Sequence, residues 1–311
     1  MKNFGFVPSV NGFGHTRRLL SLAIELTIMD YKCNFVLPCI LSSKSPILGI
    51  ISEHGFDYEI ICIRELNDGP FVLKNHSHEC KSYDIELSLK KYEYLIADTV
   101  TWVSNFHSDT YLFAQFTWEQ YHNRDTSDLD LNNKLIKYKK IFGFKYFTNQ
   151  FIKSQINYQE IPLLDYWNLS RYSSLGNNGK FLIANSGAED FKILTSNDQF
   201  LSETKIAYGL EKHLKINSKP LAIICRPGLG AILESISAGI VPILLDSEDY
   251  ELEFNKKVAI ENGWAIDYKS IESLSDFNKV KFVENFKNLL TNPEIINPAT
   301  LVRQFMGEFS R

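Results

Sequence analysis

Residues 4–37, FGFVPSVNGFGHTRRLLSLAIELTIMDYKCNFVL, contain the pattern that decides the fold. A short apolar strand is expected at Phe4–Val7, followed by a glycine-containing loop and a helix over Thr16–Met29 with its apolar residues on one face. A second apolar strand follows at Cys33–Leu37. This order predicts a βαβ unit, in which a helix joins two parallel strands.

Strands and helices continue to alternate along the chain, which predicts mainly parallel sheets with helices on both faces. Further strands are expected in the first half at Asp57–Cys62, Tyr94–Ala97, Tyr111–Phe116 and Lys145–Thr148. In the second half, strands are expected at Phe181–Ala184, Leu221–Cys225 and Val241–Leu245. Helices are expected there at Asp198–Lys215, Ala231–Ala238, Glu253–Asn262, Asp276–Leu290 and Pro298–Phe309.

The segment Leu163–Lys180 separates the two halves, because it has no periodicity and ends in a cluster of glycine and asparagine. This composition is typical of a connection between domains. The sequence therefore predicts two α/β domains, residues 1–170 and residues 171–311, each long enough to bury its own core. The last helix either stays with the second domain or crosses back to the first.

The composition indicates an ordinary globular protein of 311 residues. Its formal net charge of -4 provides no overall attraction to a polyanion, so nucleic acid is not favoured as a partner. The five cysteines are odd in number and lack CxxC spacing, which favours a reducing compartment. The first apolar residues are too few for a secretory signal, and no apolar run approaches the roughly 20 residues of a transmembrane segment. We therefore expect a cytoplasmic protein.

The loop Gly12–Arg18 lies between the first strand and the first helix. Gly12 and Gly14 allow a ligand to approach the backbone, and the start of the helix favours an anion. A phosphate or a sugar is therefore expected there. Arg17 occupies the third glycine position of the dinucleotide-binding fingerprint, which argues against a nicotinamide cofactor.

Two residues near this loop are candidates for catalysis. His15 lies at the carboxyl end of the first strand, where a neutral imidazole can accept a proton, or else it caps the helix or stacks on Phe13. Asp98 ends another strand and is expected at the same sheet edge, where it either orients His15 or serves as a helix cap or loop carboxylate.

The second half repeats the strand, glycine loop and helix in CRPGLGAILE, residues 225–234. The backbone amides of this loop suit a diphosphate. The next strand is followed by DSEDYELEFN, residues 246–255, whose five carboxylates include a candidate for hydrogen bonding to both ribose hydroxyls. The alternative is a solvated acidic loop that places Glu253 in a first helical turn. Two glycine loops in two domains predict a cleft between them.

Two further patterns contain residue types that bind ligands. The run His76-Ser77-His78-Glu79-Cys80 contains metal-ligand residue types, but the sequence lacks a second ligand pair at zinc spacing, so no metal site is expected. Four lysines between Lys134 and Lys140 are interleaved with apolar residues, which predicts a solvated helix face or, alternatively, a surface for an anionic acceptor or lipid.

The order of these motifs resembles that of GT-B glycosyltransferases along nearly the whole chain. The loop Gly12–Arg18 is similar to the G-x-G-H-x-x-R form of MurG-related sugar-nucleotide hydrolases of the PseG type. The segment Phe116–Tyr121 resembles a degraded H-E-Q-N segment of MurG-like transferases, and residues 226–242 resemble the nucleotide-sugar signature of the second domain. The resemblance implies two Rossmann-like domains whose parallel sheets face each other across a cleft.

The resemblance also implies roles for individual residues. His15 becomes the base, and Arg17 and Glu119 lie on the acceptor side. Glu251 takes the ribose position, as counted back from Asn255, and Glu253 is its neighbour to test. The donor-binding residues implied are Gly12, Gly14, Ser186, Gly187, Arg226, Gly228, Leu229, Gly230, Glu234, Glu251, Glu253 and Asn255. Ala231 stands where many relatives have Ser or Thr, and Leu252 replaces a polar residue, so the identity of the donor stays open.

Three functions are compatible with these residues. The first is a metal-independent glycosyltransferase without a cofactor, which moves a sugar from a nucleoside-diphosphate sugar, UDP-sugar foremost, to an unidentified hydroxyl acceptor. The second is a hydrolase of the PseG type that uses His15 to activate water. The third is a nucleotide-sugar binding protein without catalysis.

Overall fold

The chain divides into two compact units in a computed structural model. Unit 1 comprises Met1–Pro162 and Pro298–Arg311, and unit 2 comprises Leu163–Asn297. The structure describes residues 2–9, 13–38, 45–61, 85–121, 128–176, 181–184, 204–206, 210, 214, 219–270 and 295–309. Within these ranges, every helix is too short or too polar to cross a membrane.

Unit 1 is built on a sheet of seven parallel strands. The strands are β1 (Asn3–Pro8), β2 (Lys32–Pro38), β3 (Asp57–Ile61), β4 (Tyr94–Asp98), β5 (Thr110–Phe113), β6 (Lys140–Phe144) and β7 (Tyr158–Ile161). Their order is β3-β2-β1-β4-β5-β6-β7. The order reverses between β1 and β4, and open parallel sheets bind ligands at the carboxyl ends of the strands at such a switch point.

The helices of unit 1 are α1 (Phe13–Ile28), α2 (Pro46–Glu53), α3 (Ile85–Lys90), α4 (Trp118–Tyr121), α5 (Asp128–Leu135), α6 (Gln150–Lys153) and, from the end of the chain, α9 (Pro298–Phe309). Helix α9 packs on α1. The centroid of its Phe305 ring lies 4.2 Å from the ring centroid of Phe142 and 5.8 Å from that of Phe113. The last helix therefore completes the core of unit 1.

Unit 2 has a smaller sheet of five parallel strands. The strands are β9 (Phe181–Ala184), β10 (Thr204–Ile206), β11 (Ala222–Cys225), β12 (Val241–Leu244) and β13 (Ile266–Asp267), in the order β10-β9-β11-β12-β13. A separate pair joins β8 (Leu163–Leu164) to β14 (Ile295–Ile296). The helices α7 (Leu229–Ser237) and α8 (Tyr250–Glu261) follow β11 and β12. The switch point of this sheet lies between β9 and β11.

Most of the predicted elements are confirmed, with ends that differ by a few residues. The predicted strand at Lys145–Thr148 is wrong. The strand in this region is β6, which ends at Phe144, and the four residues after it form a turn that folds back over the strand. Thr148 donates a hydrogen bond to the Phe144 carbonyl, and a Cβ on Gly143 would lie 2.5 Å from the Thr148 hydroxyl oxygen. The close approach of this turn requires glycine in the strand.

Two other predictions need correction. Thr204–Ile206 form β10, inside the helix predicted at Asp198–Lys215, because pairing with β9 outweighs local helical preference. Leu210 and Leu214 of the same prediction are helical and buried. The lysines of the predicted basic helix face span the end of α5, a turn and the start of β6. The helix predicted at Asp276–Leu290 lies outside the described residues.

Candidate functional site

His15 and Asp98 meet at the switch point of unit 1. His15 lies in the first turn of α1, which begins at Phe13, and Asp98 is the last residue of β4. Strand β4 pairs with β1, so the end of β4 lies beside the segment that leads into α1. The His15 Nδ1 atom is 2.8 Å from Asp98 Oδ1, and both side chains are buried. The neutral imidazole is therefore expected to donate from Nδ1, which leaves Nε2 as the atom that accepts a proton.

Arg18 is the third member of the cluster that His15 and Asp98 form, and it is not among the site residues predicted from the sequence. Its Nε donates to Asp98 Oδ2 at 2.5 Å and its Nη2 donates to Oδ1 at 3.0 Å. Residues three apart on a helix share a face, so a helix that includes His15 also presents Arg18 to Asp98. The signal in the sequence is that Arg18 is the last residue of the G-x-G-H-x-x-R pattern, whereas the arginine predicted for the site is Arg17, which is half-buried.

The charges around Asp98 keep its carboxyl group ionised. Burial alone would raise the pKa of Asp98, but the positive charge of Arg18 and the hydrogen bonds from His15 and Arg18 outweigh it, so the pKa lies below its ordinary value. Asp98 is completely buried. The result is a desolvated anion with a fixed orientation, which can stabilise a positive charge that develops on His15.

The residue after Asp98 has a strained backbone. Thr99 has a φ of 62°, in the left-handed region that β-branched residues avoid. Its hydroxyl donates to Asp98 Oδ1 at 2.9 Å, and its amide donates to the Phe113 carbonyl at 2.7 Å. Strain of this kind is typical of functional sites, where the surrounding structure holds a side chain in place.

Trp118 closes another side of the His15 ring. The two ring centroids are 6.2 Å apart in an edge-on arrangement, and the Trp118 indole donates to Ser9 Oγ at 3.1 Å. The neighbouring Glu119 accepts a hydrogen bond from Thr101 and lies 3.6 Å from Lys134 Nζ. The Glu119 carboxylate therefore already has two partners within the protein. Trp118 is the residue of this segment that contacts the His15 ring.

The candidate phosphate loop of unit 2 follows β11. Arg226 is half-buried, and its Nη2 donates to Ser247 Oγ at 3.4 Å, which links the ends of β11 and β12. Gly228 is the N-cap of α7 and provides no side-chain cap, and a Cβ added to it would meet no atom of the described residues within 4 Å. Leu229 is buried and Gly230 half-buried in the first turn.

The next helix is capped in the ordinary way. Asp249 Oδ1 accepts hydrogen bonds from the amides of Glu251 and Leu252 at the start of α8. Within the described residues of unit 2, the start of α8 thus binds its own carboxylate, whereas no N-cap side chain binds the start of α7. An anion fits α7 better than α8.

Three of the five carboxylates in the acidic segment support local structure. Asp249 caps α8, Glu253 accepts from the Ser247 amide at 2.8 Å, and Asp246 accepts from Lys256. Hydrogen bonds from Lys256 and Lys269 hold the pKa of Asp246 below its ordinary value. Glu251 is half-buried in the first turn of α8. Glu253 has a structural partner, and Glu251 stays the candidate for binding ribose that the resemblance of the motifs implied.

Two more of the proposed donor residues are buried on helices. Glu234 of α7 is 4% exposed and lies close enough to Cys225 for its charge to raise the pKa of that thiol, in addition to the larger effect of burial. Asn255 of α8 is 1% exposed, and within the described part of the chain its amide nitrogen has no hydrogen-bond partner. The structure does not describe Gly12, Ser186, Gly187 or the segment 76–80.

Comparisons with known proteins rest on structure, since no family model and no curated protein sequence matches the chain. UGT2 of Phytolacca americana, complexed with UDP-2-fluoro-glucose and pterostilbene, superposes with a TM-score of 0.60 at 13% identity and covers 100% of both chains. The chain has the GT-B fold. The spinosyn rhamnosyltransferase SpnG, complexed with thymidine diphosphate, shares this GT-B fold with a TM-score of 0.60 at 11% identity, over 98% of this chain and 100% of its own.

MurG of Acinetobacter baumannii has a TM-score of 0.58 at 11% identity, over 99% of this chain and 100% of its own. At such low identity, these likenesses concern the GT-B fold and not the reaction. Together with the two parallel sheets, they confirm the GT-B fold of two Rossmann-like domains that the resemblance of the motifs implied.

Proposed function

We propose that the protein is a glycosyltransferase that moves a sugar from a nucleoside-diphosphate sugar to a hydroxyl acceptor, with His15 as general base. The observation that carries this proposal is the contact between His15 and Asp98 at the switch point of a GT-B unit. A buried imidazole held by an ionised carboxylate is the arrangement that proton abstraction requires at neutral pH.

In the proposed reaction, His15 Nε2 removes the proton from the acceptor hydroxyl while the hydroxyl oxygen bonds to the anomeric carbon. The bond between that carbon and the diphosphate oxygen breaks, and the electron pair leaves with the nucleoside diphosphate. Asp98 stabilises the imidazolium, and Arg18 and Thr99 hold Asp98 in its orientation. A positioned base of this kind contributes roughly 10²-fold to 10⁴-fold to the rate.

Unit 2 supplies the proposed donor site. The uncapped start of α7 at Gly228 and the adjacent Arg226 suit the diphosphate, because backbone amides, the helix dipole and a guanidinium all favour an anion. Glu251 is the proposed ribose ligand. UDP is the first nucleotide to test, since UGT2 is complexed with a UDP-sugar, and thymidine diphosphate is the second, since SpnG is complexed with it.

Donor binding is tested by thermal shift with UDP-, GDP-, dTDP- and CMP-sugars. One nucleotide class should raise the Tm of the wild type and raise it less in Gly228→Ala and Glu251→Ala. Gly49→Ala and Glu248→Ala are matched controls, because a Cβ at Gly49 also meets nothing within 4 Å and Glu248 is an exposed carboxylate of the same segment. Equal Tm shifts in the wild type and in all four variants would show that the donor does not bind at the starts of α7 and α8.

Catalysis is tested by turnover of the donor that binds. We expect His15→Ala to lower kcat at least 100-fold while the donor still shifts its Tm. Fast wild-type turnover that depends on an added acceptor supports the transferase. Turnover at the same rate without an acceptor would instead assign the hydrolase reaction to His15, and donor binding without any turnover would leave a binding protein.

A further inference from the structure

The segment between β5 and α4 contains two buried polar side chains that the fold does not use. Gln115 is 2% exposed and Thr117 is fully buried. Within the ranges that the structure describes, neither the amide nitrogen nor the amide oxygen of Gln115 has a hydrogen-bond partner, and the Thr117 hydroxyl has none. Folded proteins leave few buried polar groups unpaired, because each one loses its hydrogen bonds to water without compensation.

This segment runs along the same sheet edge as His15. Strand β5 pairs with β4 so that Phe113 lies opposite Asp98, and Gln115 follows two residues later. At the other end of the segment, the Trp118 ring contacts the His15 ring, and its indole reaches Ser9, which follows β1. The two unpaired side chains are therefore on the connection that passes the switch point.

Several polar side chains near this segment have hydrogen-bond partners, in contrast to Gln115 and Thr117. The Gln115 carbonyl accepts from the Asn149 amide at 2.8 Å, and the Gln120 side chain accepts from Asn149 Nδ2 at 3.1 Å. Thr110 is as deeply buried as Thr117, and its hydroxyl donates to the His107 carbonyl at 2.7 Å. The fold thus provides partners for Gln120 and Thr110, which are side chains of the same types as the two unpaired ones.

We propose that Gln115 and Thr117 bind the hydroxyl groups of a carbohydrate acceptor beside His15. A carboxamide offers two donors and an acceptor oxygen, and a threonine hydroxyl both donates and accepts. Adjacent sugar hydroxyls also donate and accept, so they match this pair. A phosphate or carboxylate would call for a cation, and the guanidinium nearest His15, that of Arg18, is bound to Asp98. The role of the carbohydrate as acceptor rests on the proposed transferase function, but its binding does not.

The first test measures the stability of the free protein. Gln115→Met and Thr117→Val replace an unpaired polar group by an apolar one of similar size, so the Tm should stay the same or rise. Gln120→Met and Thr110→Val are the matched controls, and their Tm should fall because each loses a hydrogen bond present in the structure. A fall in Tm for Gln115→Met and Thr117→Val equal to that of the controls would overturn the proposal, because the groups would then have a structural partner.

The second test measures binding of methyl glycosides of glucose, galactose, mannose and N-acetylglucosamine by saturation-transfer NMR. At least one should bind the wild type, and Gln115→Met and Thr117→Val should weaken it on the order of 10-fold each, whereas Gln120→Met should not. Absence of binding by all four glycosides, or equal affinity in the variants, would overturn the proposal.

Binding of nucleotide sugars, measured in the same proteins, separates this site from the donor site. Under both proposals, a donor raises the Tm of the wild type and of Gln115→Met equally. If the protein binds a glycoside in a way that depends on Gln115 but binds no nucleotide sugar, the carbohydrate site is supported and the proposed transferase function is overturned.

Discussion

Arg18 donates hydrogen bonds to both carboxylate oxygens of Asp98, from Nε to Oδ2 at 2.5 Å and from Nη2 to Oδ1 at 3.0 Å. The oxygen Oδ1 is also the one that His15 contacts. The guanidinium carbon lies 5.3 Å from the centre of the Phe144 ring, so the side chain is stacked as well as hydrogen bonded. A carboxylate held in this way cannot rotate away from the imidazole. The orientation of the proposed base thus depends on a residue that has no direct part in the reaction.

The substitution Arg18→Lys should destabilise the protein. Lysine keeps the positive charge but loses the bidentate hydrogen bonds to Asp98 and the stacking on Phe144, so Arg18→Lys should lower the free energy of unfolding by about 2–4 kcal/mol. Arg17→Lys, at the half-buried neighbouring position, is the control and should cost less than about 1 kcal/mol. Urea unfolding at pH 7 measures both. Equal losses would mean that the contact with Asp98 contributes no more than an ordinary surface arginine.

Asp98 should make the stability of unit 1 sensitive to acid. Its folded-state pKa lies below its value in the unfolded chain, so its charge contributes stability in full above about pH 4, and that contribution is lost as the pH falls through the folded-state pKa. Asp98→Asn should be less stable than the wild type by about 3–5 kcal/mol at pH 7, because it leaves Arg18 buried without its counter-charge. The difference should narrow below pH 4.

The acid series is measured by urea unfolding between pH 2.5 and pH 7. Asp57→Asn is the control, because Asp57 is an exposed carboxylate, and its difference from the wild type should stay within about 0.5 kcal/mol. A difference for Asp98→Asn that is constant over the whole range would show that its protonation is not linked to folding.

The left-handed backbone of Thr99 should reverse the usual order of alanine and glycine. Both Thr99→Ala and Thr99→Gly lose the hydrogen bond to Asp98, but only glycine also relieves the strain at a φ of 62°. Thr99→Gly should therefore be more stable than Thr99→Ala by about 1 kcal/mol. At Thr101, which is also buried and lies outside the left-handed region, alanine should be the more stable substitution. Thermal and urea unfolding of the four variants measure the order, and the same order at both positions would contradict it.

Two thiols should be unreactive in the folded protein. Burial raises the pKa of Cys33 to about 12, and burial together with the charge of Glu234 raises the pKa of Cys225 to about 12, so neither forms much thiolate at pH 8. Iodoacetamide at pH 8 should leave both unmodified in the native protein and alkylate both in urea, as peptide mapping by mass spectrometry would show. Native alkylation of Cys225 at the rate of a free thiol would show that β11 is open to solvent.

The contact of His15 with Asp98 could be anticipated, because both residues follow strands that are clear in the sequence and the carboxyl ends of parallel strands share one edge. Arg18 could not be placed in the same way. The predicted helix began at Thr16, after the histidine, and only a helix that begins at Phe13 puts Arg18 one turn beyond His15.

Other features depend on tertiary contacts that local sequence does not encode. The left-handed conformation of Thr99 is unfavourable for threonine, so no propensity predicts it, and it follows from the contacts that hold Asp98. Strand β10 forms inside a predicted helix because β9 offers a parallel partner. The absence of partners for the Gln115 and Thr117 side chains depends on which groups the fold brings around them, and local sequence does not encode that.

The position of α9 in the chain has a consequence for how the protein is made. Unit 1 needs Pro298–Phe309, whose Phe305 packs against the rings of Phe113 and Phe142, yet these residues are synthesised after the whole of unit 2. During translation, the seven-stranded sheet would therefore keep an apolar patch exposed while unit 2 is being made, until residues 298–309 have left the ribosome. Loss of α9 would damage unit 1 and not the unit that directly precedes α9 in the chain.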